Sequence, residues 1–150
     1  MKVGDACNRL VIHVNADESV HRAAELMRKY HVGYLVVTEF GDTDRVPIGA
    51  VTDRDIVLET VAPGIDPEEI TVGDIMDQDP PLVANEGDEV AETLEAMRTA
   101  GVRRVPVVDS HRNLVGILAL DDMLGLLATE LETIAVIVGS QRHNESKVRA

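Results

Sequence analysis

The chain has 150 residues, 27 acidic against 14 basic, giving a net charge of −13, and an apolar fraction of 45%. That length buries a real core in one compact unit, while the acidic surface repels nucleic acid and anionic membranes. Two Tyr, one Phe and no Trp exclude a base-stacking platform. Cys7, the sole cysteine, rules out an intrachain disulfide or a cysteine-rich zinc site and reads as a reduced, half-buried structural residue. The sequence has no apolar run of about 18 residues to cross a bilayer, and MKVGDACNRL lacks the apolar core of a secretory signal. The expectation is therefore a cytoplasmic protein with no membrane and no nucleic-acid partner.

Val20, Ala23, Ala24, Met27 and Tyr30 follow the i, i+3, i+4, i+7 spacing of a packed helix, with Asp17 and Ser19 as candidate N-caps. YLVVTEF then reads as a strand, EFGDTDRVP (39–47) as an exposed connection, and PIGAV as the return strand of a hairpin. DRDIVLETVA is a second helix, and PGIDPEEI (63–70) is punctuated as a linker. Beyond it the pattern restarts. Val90, Leu94, Met97 and Ala100 form a helical stripe, RVPVV and LVGIL flank SHRN as a hairpin, and DDMLGLLATELETIAVIVG is a long apolar helix. Gly139 is its natural stop, which leaves SQRHNESKVRA (140–150) as a flexible polar tail.

The chain contains itself twice. VGDAC (3–7) recurs as VGDIM (72–76), Met27 and Arg28 recur as Met97 and Arg98, and Gly49 and Asp55 recur as Gly116 and Asp122. The offset shortens from 70 to 67 across the second hairpin, so the length difference falls in a loop, where insertions are tolerated. The domain reading is repeat 1 over 1–62, linker 63–71, repeat 2 with an extended helix over 72–139, and tail 140–150. The fold class is mixed α+β (α/β), built as two tandem β-α-β-β-α units. A unit of roughly 60 residues buries too little surface alone. Pairing the two sheets face to face should complete one shared core and leave clefts between the copies.

The histidines at 13, 21, 31, 111 and 143 lack metal-ligand spacing, and there is no nucleophile elbow, P-loop or G-x-G-x-x-G. Asp53 and Asp55, two apart, do not face each other at a helix start, against a paired-carboxylate mechanism. The chain reads as non-enzymatic. Its most pointed phrase is GAVTDRDI (49–56), where Thr52-x-x-Asp55 has two readings. It is close to a capping box that only starts a helix. Equally, it stands at the end of a strand, where ligands collect: a phosphate near Thr52 and Arg54, and vicinal ribose hydroxyls donating to the Asp55 carboxylate. Repeat 2 keeps Asp122 but has Ala119 in place of Thr52, and it adds Arg103 and Arg104 where repeat 1 has Gly33 and Tyr34. These arginines are either a phosphate clamp or a solvated strand edge.

The VGDIM lead-in, the helix ending in M-R-x-x-x-V, the VPVVD strand and the T-x-x-D helix start, in order and twice, resemble the tandem CBS domain pair, or Bateman module, over about residues 1–138. The resemblance implies two repeats related by a pseudo-twofold axis, commonly dimerised into a disk. It also implies a regulatory module binding adenosyl compounds (AMP, ADP, ATP, S-adenosylmethionine or NADH) between repeats, with no catalytic cofactor. By the same resemblance the adenine lies against Ile12 and Val32 in one copy and Leu82 and Val102 in the other, with Tyr34 beside them. With the repeat structure added, ligand binding outweighs pure capping. The leading expectation is a homodimeric sensor signalling to an unidentified protein partner. The alternative is a ligand-free adaptor whose clefts only shape an interaction surface.

Overall fold

The computed structural model describes residues 1–39 and 45–148, so most of the connection expected over 39–47 lies outside the described residues. A short lead-in helix, α1 (Val3–Ala6), precedes β1 (His13–Asn15), α2 (Val20–Tyr30), β2 (Tyr34–Thr38), β3 (Pro47–Thr52) and α3 (Asp53–Ile56), which continues as a π-helical turn over Val57–Val61. The second half repeats the order: α4 (Val72–Ile75), β4 (Ala84–Asn85), α5 (Val90–Ala100), β5 (Arg104–Val108), β6 (Leu114–Ala119) and α6 (Leu120–Val148). Each half has one three-stranded sheet in chain order, with its first strand parallel to the second and the second antiparallel to the third. A parallel pair needs a crossover, which α2 and α5 supply, whereas an antiparallel pair needs none. Both hairpins shift register at the same place, between Val37 and Thr38 and between Val107 and Val108.

Ser19 caps α2 by accepting from the Arg22 backbone N–H at 3.1 Å, as its residue type favours. The stripe residues Val20, Ala23 and Met27 are buried, as are Val90, Thr93 and Met97 of α5. Both helices end in the left-handed region, at Gly101 and, less comfortably for a residue with a side chain, at His31 (φ 55°).

The sheets do not close over one shared core, as the sequence suggested. Two clusters form, and each is completed by the other half's lead-in. Val14, Ala23, Met27, Leu35, Val37 and Val51 pack with Val72 of α4, and Ile75 and Met76 lie against them. Ala84, Val90, Met97, Val105, Val107, Leu118 and Met123 pack with Val3 of α1, and Ala6 and Cys7 lie against them. Backbone bonds fix the exchange: Val3 and Gly4 donate to Asp88 and Glu86 carbonyls at 2.9 Å, and Val72 and Gly73 donate to Glu18 and Ala16 carbonyls at 2.9 and 2.8 Å. Burying one valine this way contributes on the order of 1.5–3 kcal/mol.

The exchange explains glycines that recur in both copies. A Cβ on Gly49 would stand 2.9 Å from the Met76 sulfur, and one on Gly116 would stand 2.8 Å from the Cys7 Sγ and 2.9 Å from the Asn8 carbonyl. The lead-in of one half thus crosses the last strand of the other where there is no side chain. Cys7 is half-buried there, and burial pushes its thiol pKa up, which keeps it unreactive.

Two expectations for the C-terminal region are corrected. Helix α6 does not stop at Gly139 but runs to Val148, so residues 140–148 are helical rather than an irregular tail. A mid-helix glycine weakens a helix by about 1 kcal/mol without ending it, and the flanking residues carry the helix past it. The sequence reading of no bilayer-length apolar run is also amended, because α6 contains an 18-residue window of mean hydropathy 1.6, of which 6% is buried. Glu130 and Glu132 stand within that stretch, and a carboxylate costs about 2.5–3.5 kcal/mol at a bilayer centre. Leu124, Leu127, Leu131, Ile134 and Val138 are all exposed along this helix at heptad-like spacing.

The crossing predicts that Gly116→Ala destabilises the fold by about 1–3 kcal/mol, since backbone as well as side chain must move. Urea denaturation measures it, and Cys7→Ala in the same chain should recover only part of the loss because the Asn8 carbonyl remains in place.

Candidate functional site: two clefts between the repeats

Strand β3 delivers Thr52 to the start of α3, and the local chemistry there is a complete capping box. The Thr52 hydroxyl accepts from the Asp55 N–H at 3.1 Å, and Asp55 Oδ2 accepts from the Thr52 N–H at 2.8 Å. The bland reading of T-x-x-D is therefore realised, and the same device recurs at Thr71 and Asp74 ahead of α4, where the backbone bond holds the Asp74 carboxyl below its usual range. Capping does not remove Thr52 from the surface. It lines a cleft of about 650 Å³, facing Leu82, Val102, Arg103 and Arg104 of the other half.

A second, smaller cleft of about 300 Å³ is its pseudo-symmetric counterpart. Here β6 supplies Ala119 and the first turn of α6 supplies Asp121 and Asp122, while repeat 1 supplies Ile12, Val32 and Tyr34. Each cleft thus combines the helix start of one repeat with the strand entry of the other, an assignment that the sequence left open. The structure brings Thr52, Leu82, Val102, Arg103 and Arg104 together in the larger cleft and Ile12, Val32 and Asp122 in the smaller. Tyr34 and Arg104 line both. Arg54 is exposed and lines neither. Asp55 lies behind Thr52 as its cap partner and lines neither cleft, in contrast to its counterpart Asp122.

Tyr34 and Arg104 occupy equivalent positions of the two repeats and meet across the pseudo-axis, with the guanidinium 5.5 Å from the ring centroid, a cation–π contact. Burial pushes the Tyr34 hydroxyl up to about 12, outweighing the opposite pull of Arg104, so it stays protonated at neutral pH. Arg103 Nη2 donates to Asp121 Oδ1 at 2.9 Å, and Arg104 Nη2 lies 3.7 Å from Asp121 Oδ2. The two arginines are thus neither a free clamp nor a bare strand edge: both are drawn towards one exposed carboxylate of the smaller cleft. Such pairs are worth at most about 1 kcal/mol.

The sequence marked Asp121 only as an added acid of repeat 2 and His31 only as a helix-end residue, and the structure places both on the smaller cleft, His31 at the end of α2. Aligning the repeats carried the signal for the Tyr34–Arg104 contact, since equivalent residues near a twofold axis meet each other. Nothing in the local sequence pointed to Asp121 as the partner of Arg103, 18 residues earlier. Among the described residues no three His, Cys, Asp or Glu side chains converge as metal ligands.

The CBS domain family model matches residues 3–61 and again 72–129. Among curated relatives, an uncharacterized protein of Methanopyrus kandleri, MK0525, is 36% identical over 124 residues, which are 83% of this chain and 61% of that protein. Hypoxic response protein 1 of Mycobacterium tuberculosis is 38% identical over 119 residues, covering 79% of this chain and 80% of that one. Among solved structures, the CBS domain protein PAE2072 from Pyrobaculum aerophilum, complexed with AMP, superposes with a TM-score of 0.71 at 26% identity, covering 86% of this chain and 99% of that one.

The cap geometry predicts that Thr52→Ala costs about 1 kcal/mol of stability while Thr52→Ser costs much less. Chemical denaturation of the two variants, compared by midpoint, measures the difference.

Proposed function

We propose that this chain, which belongs to the CBS domain family in both of its halves, is a non-catalytic sensor that binds AMP or a closely related adenosyl ligand in the Thr52 cleft. The observation that carries the reading is the convergence in one cleft of a hydroxyl, two guanidinium groups and an apolar wall, contributed by both repeats. Its volume falls within the range that small-molecule sites occupy. Leu82 and Val102 offer an apolar surface for adenine, and Thr52, Arg103 and Arg104 supply donors for a phosphate in an otherwise acidic protein. Asp55 acts behind the cleft wall, its Oδ2 holding the Thr52 cap whose hydroxyl faces the ligand. The AMP complex of the Pyrobaculum protein supports the ligand class.

In this reading binding transmits by a change in the relation of the two repeats, because every cleft wall belongs to both. The size of the response is bounded by the ligand's differential affinity for the two arrangements. The exposed seam of α6 is the surface through which two copies pair, and the partner protein reads the resulting assembly. The smaller cleft favours the adaptor reading for its own side. It lacks the hydroxyl, since Ala119 stands where Thr52 stands, and it sets Asp121 and Asp122 against Arg104 alone, where the larger cleft sets Asp77 and Asp79 against both arginines.

Titration calorimetry of the chain with AMP, ADP, ATP, NADH and S-adenosylmethionine tests the proposal. AMP should bind in the micromolar range or tighter, and Arg103→Ala should weaken it at least tenfold, as loss of a charge-assisted bond implies. Absence of heat and of any melting shift up to millimolar nucleotide overturns the sensor reading in favour of the adaptor.

A further inference from the structure

Asp121 ties the two clefts together electrostatically. It lines the smaller cleft, yet its carboxylate holds Arg103 of the larger cleft at 2.9 Å and draws on Arg104, which lines both, at 3.7 Å. Arg104 in turn rests on Tyr34, the other residue common to both clefts. The guanidinium groups facing the Thr52 cleft are therefore already engaged by an anion belonging to the protein itself.

We propose that Asp121 is a built-in competitor for the ligand's phosphate, setting how tightly the Thr52 cleft holds a phosphorylated nucleoside as opposed to an unphosphorylated one. The inference rests on the nucleotide-binding reading above and adds its charge selectivity. A phosphate entering beside Thr52 takes over the donors of Arg103 and Arg104, and the Asp121 carboxylate is released into the smaller cleft. There it joins Asp122, so that filling one cleft with an anion makes the other more hostile to a second. The side chains are more than half exposed at Arg103 (70%) and Asp121 (57%), so the pair is weak enough for a ligand to displace. A deeply buried pair would resist that exchange.

The test compares AMP and adenosine on the full chain and on Asp121→Asn, with Glu132→Gln as the charge-matched control. Glu132 is exposed on the same helix, eleven residues and about 16 Å further along it. Removing the competitor should tighten AMP about two- to fivefold, the range an exposed ion pair is worth. Adenosine affinity and the Glu132→Gln protein should be unchanged. Because the variant gains affinity, damage to the fold cannot mimic the expected result. Unchanged or weaker AMP binding by Asp121→Asn, with the unaltered chain binding AMP, overturns the competitor role and leaves the nucleotide reading standing. Equal tightening of adenosine, or equal tightening by Glu132→Gln, also overturns it, since the effect is then not phosphate competition at this residue. Failure of the unaltered chain to bind either ligand overturns both proposals together.

Discussion

The structure depends on an exchange of lead-in segments between halves. Val3 completes the core of the second half and Val72 that of the first, and both are fully buried. A half of roughly 60 residues is marginal by size, and each borrows a core valine from the other. The backbone bonds of Gly4 to Glu86 and of Gly73 to Ala16 then fix where the borrowed segment runs. Because the halves are held in register by this exchange, the helix start of one repeat always faces the strand entry of the other. The clefts are a by-product of that geometry before any residue in them is chosen.

Much of this was legible in the sequence. The buried pairs Val20/Val90 and Met27/Met97 recur at one offset because two helices meet two similar sheets, and so the doubled pattern reads directly as a doubled fold. Gly49 and Gly116 were visible as a repeated pair, but their reason was not: the clash that excludes a side chain comes from Met76 and Cys7, which the sequence places in the opposite copies. Local sequence does not say which of two similar cores a lead-in enters, and so the exchange was invisible. Gly139 misled for a different reason. Its intrinsic cost is about 1 kcal/mol, too small to end a helix whose flanks keep to the helical pattern, and only the folded chain shows the helix continuing to Val148.

The site divides in the same way. Thr52 was readable as a cleft residue from its place between a strand end and a helix start, whereas Leu82 and Val102 followed from the family resemblance. The T-x-x-D phrase serves two purposes, as Asp55 closes a capping box while Thr52 faces the larger cleft. The asymmetry between Thr52 and Ala119 becomes an asymmetry of charge as well. The larger cleft sets both arginines against Asp77 and Asp79, whereas the smaller sets Arg104 alone against Asp121 and Asp122. Duplicated architecture has therefore produced two clefts of the same outline and different electrostatic character.

The exchange also sets an order of events during synthesis. The hydrogen bond from Val3 to Asp88 joins residues 85 apart in the chain, so the lead-in has nowhere to dock while only the first repeat has left the ribosome. Any packing of the first sheet and α2 before residue 72 emerges takes place around a core still lacking Val72. The second half, by contrast, finds its missing piece already made. Such long-range closure slows folding and leaves apolar surface uncovered in the interval, so the nascent chain is most vulnerable between the emergence of the first repeat and that of residues 72–76.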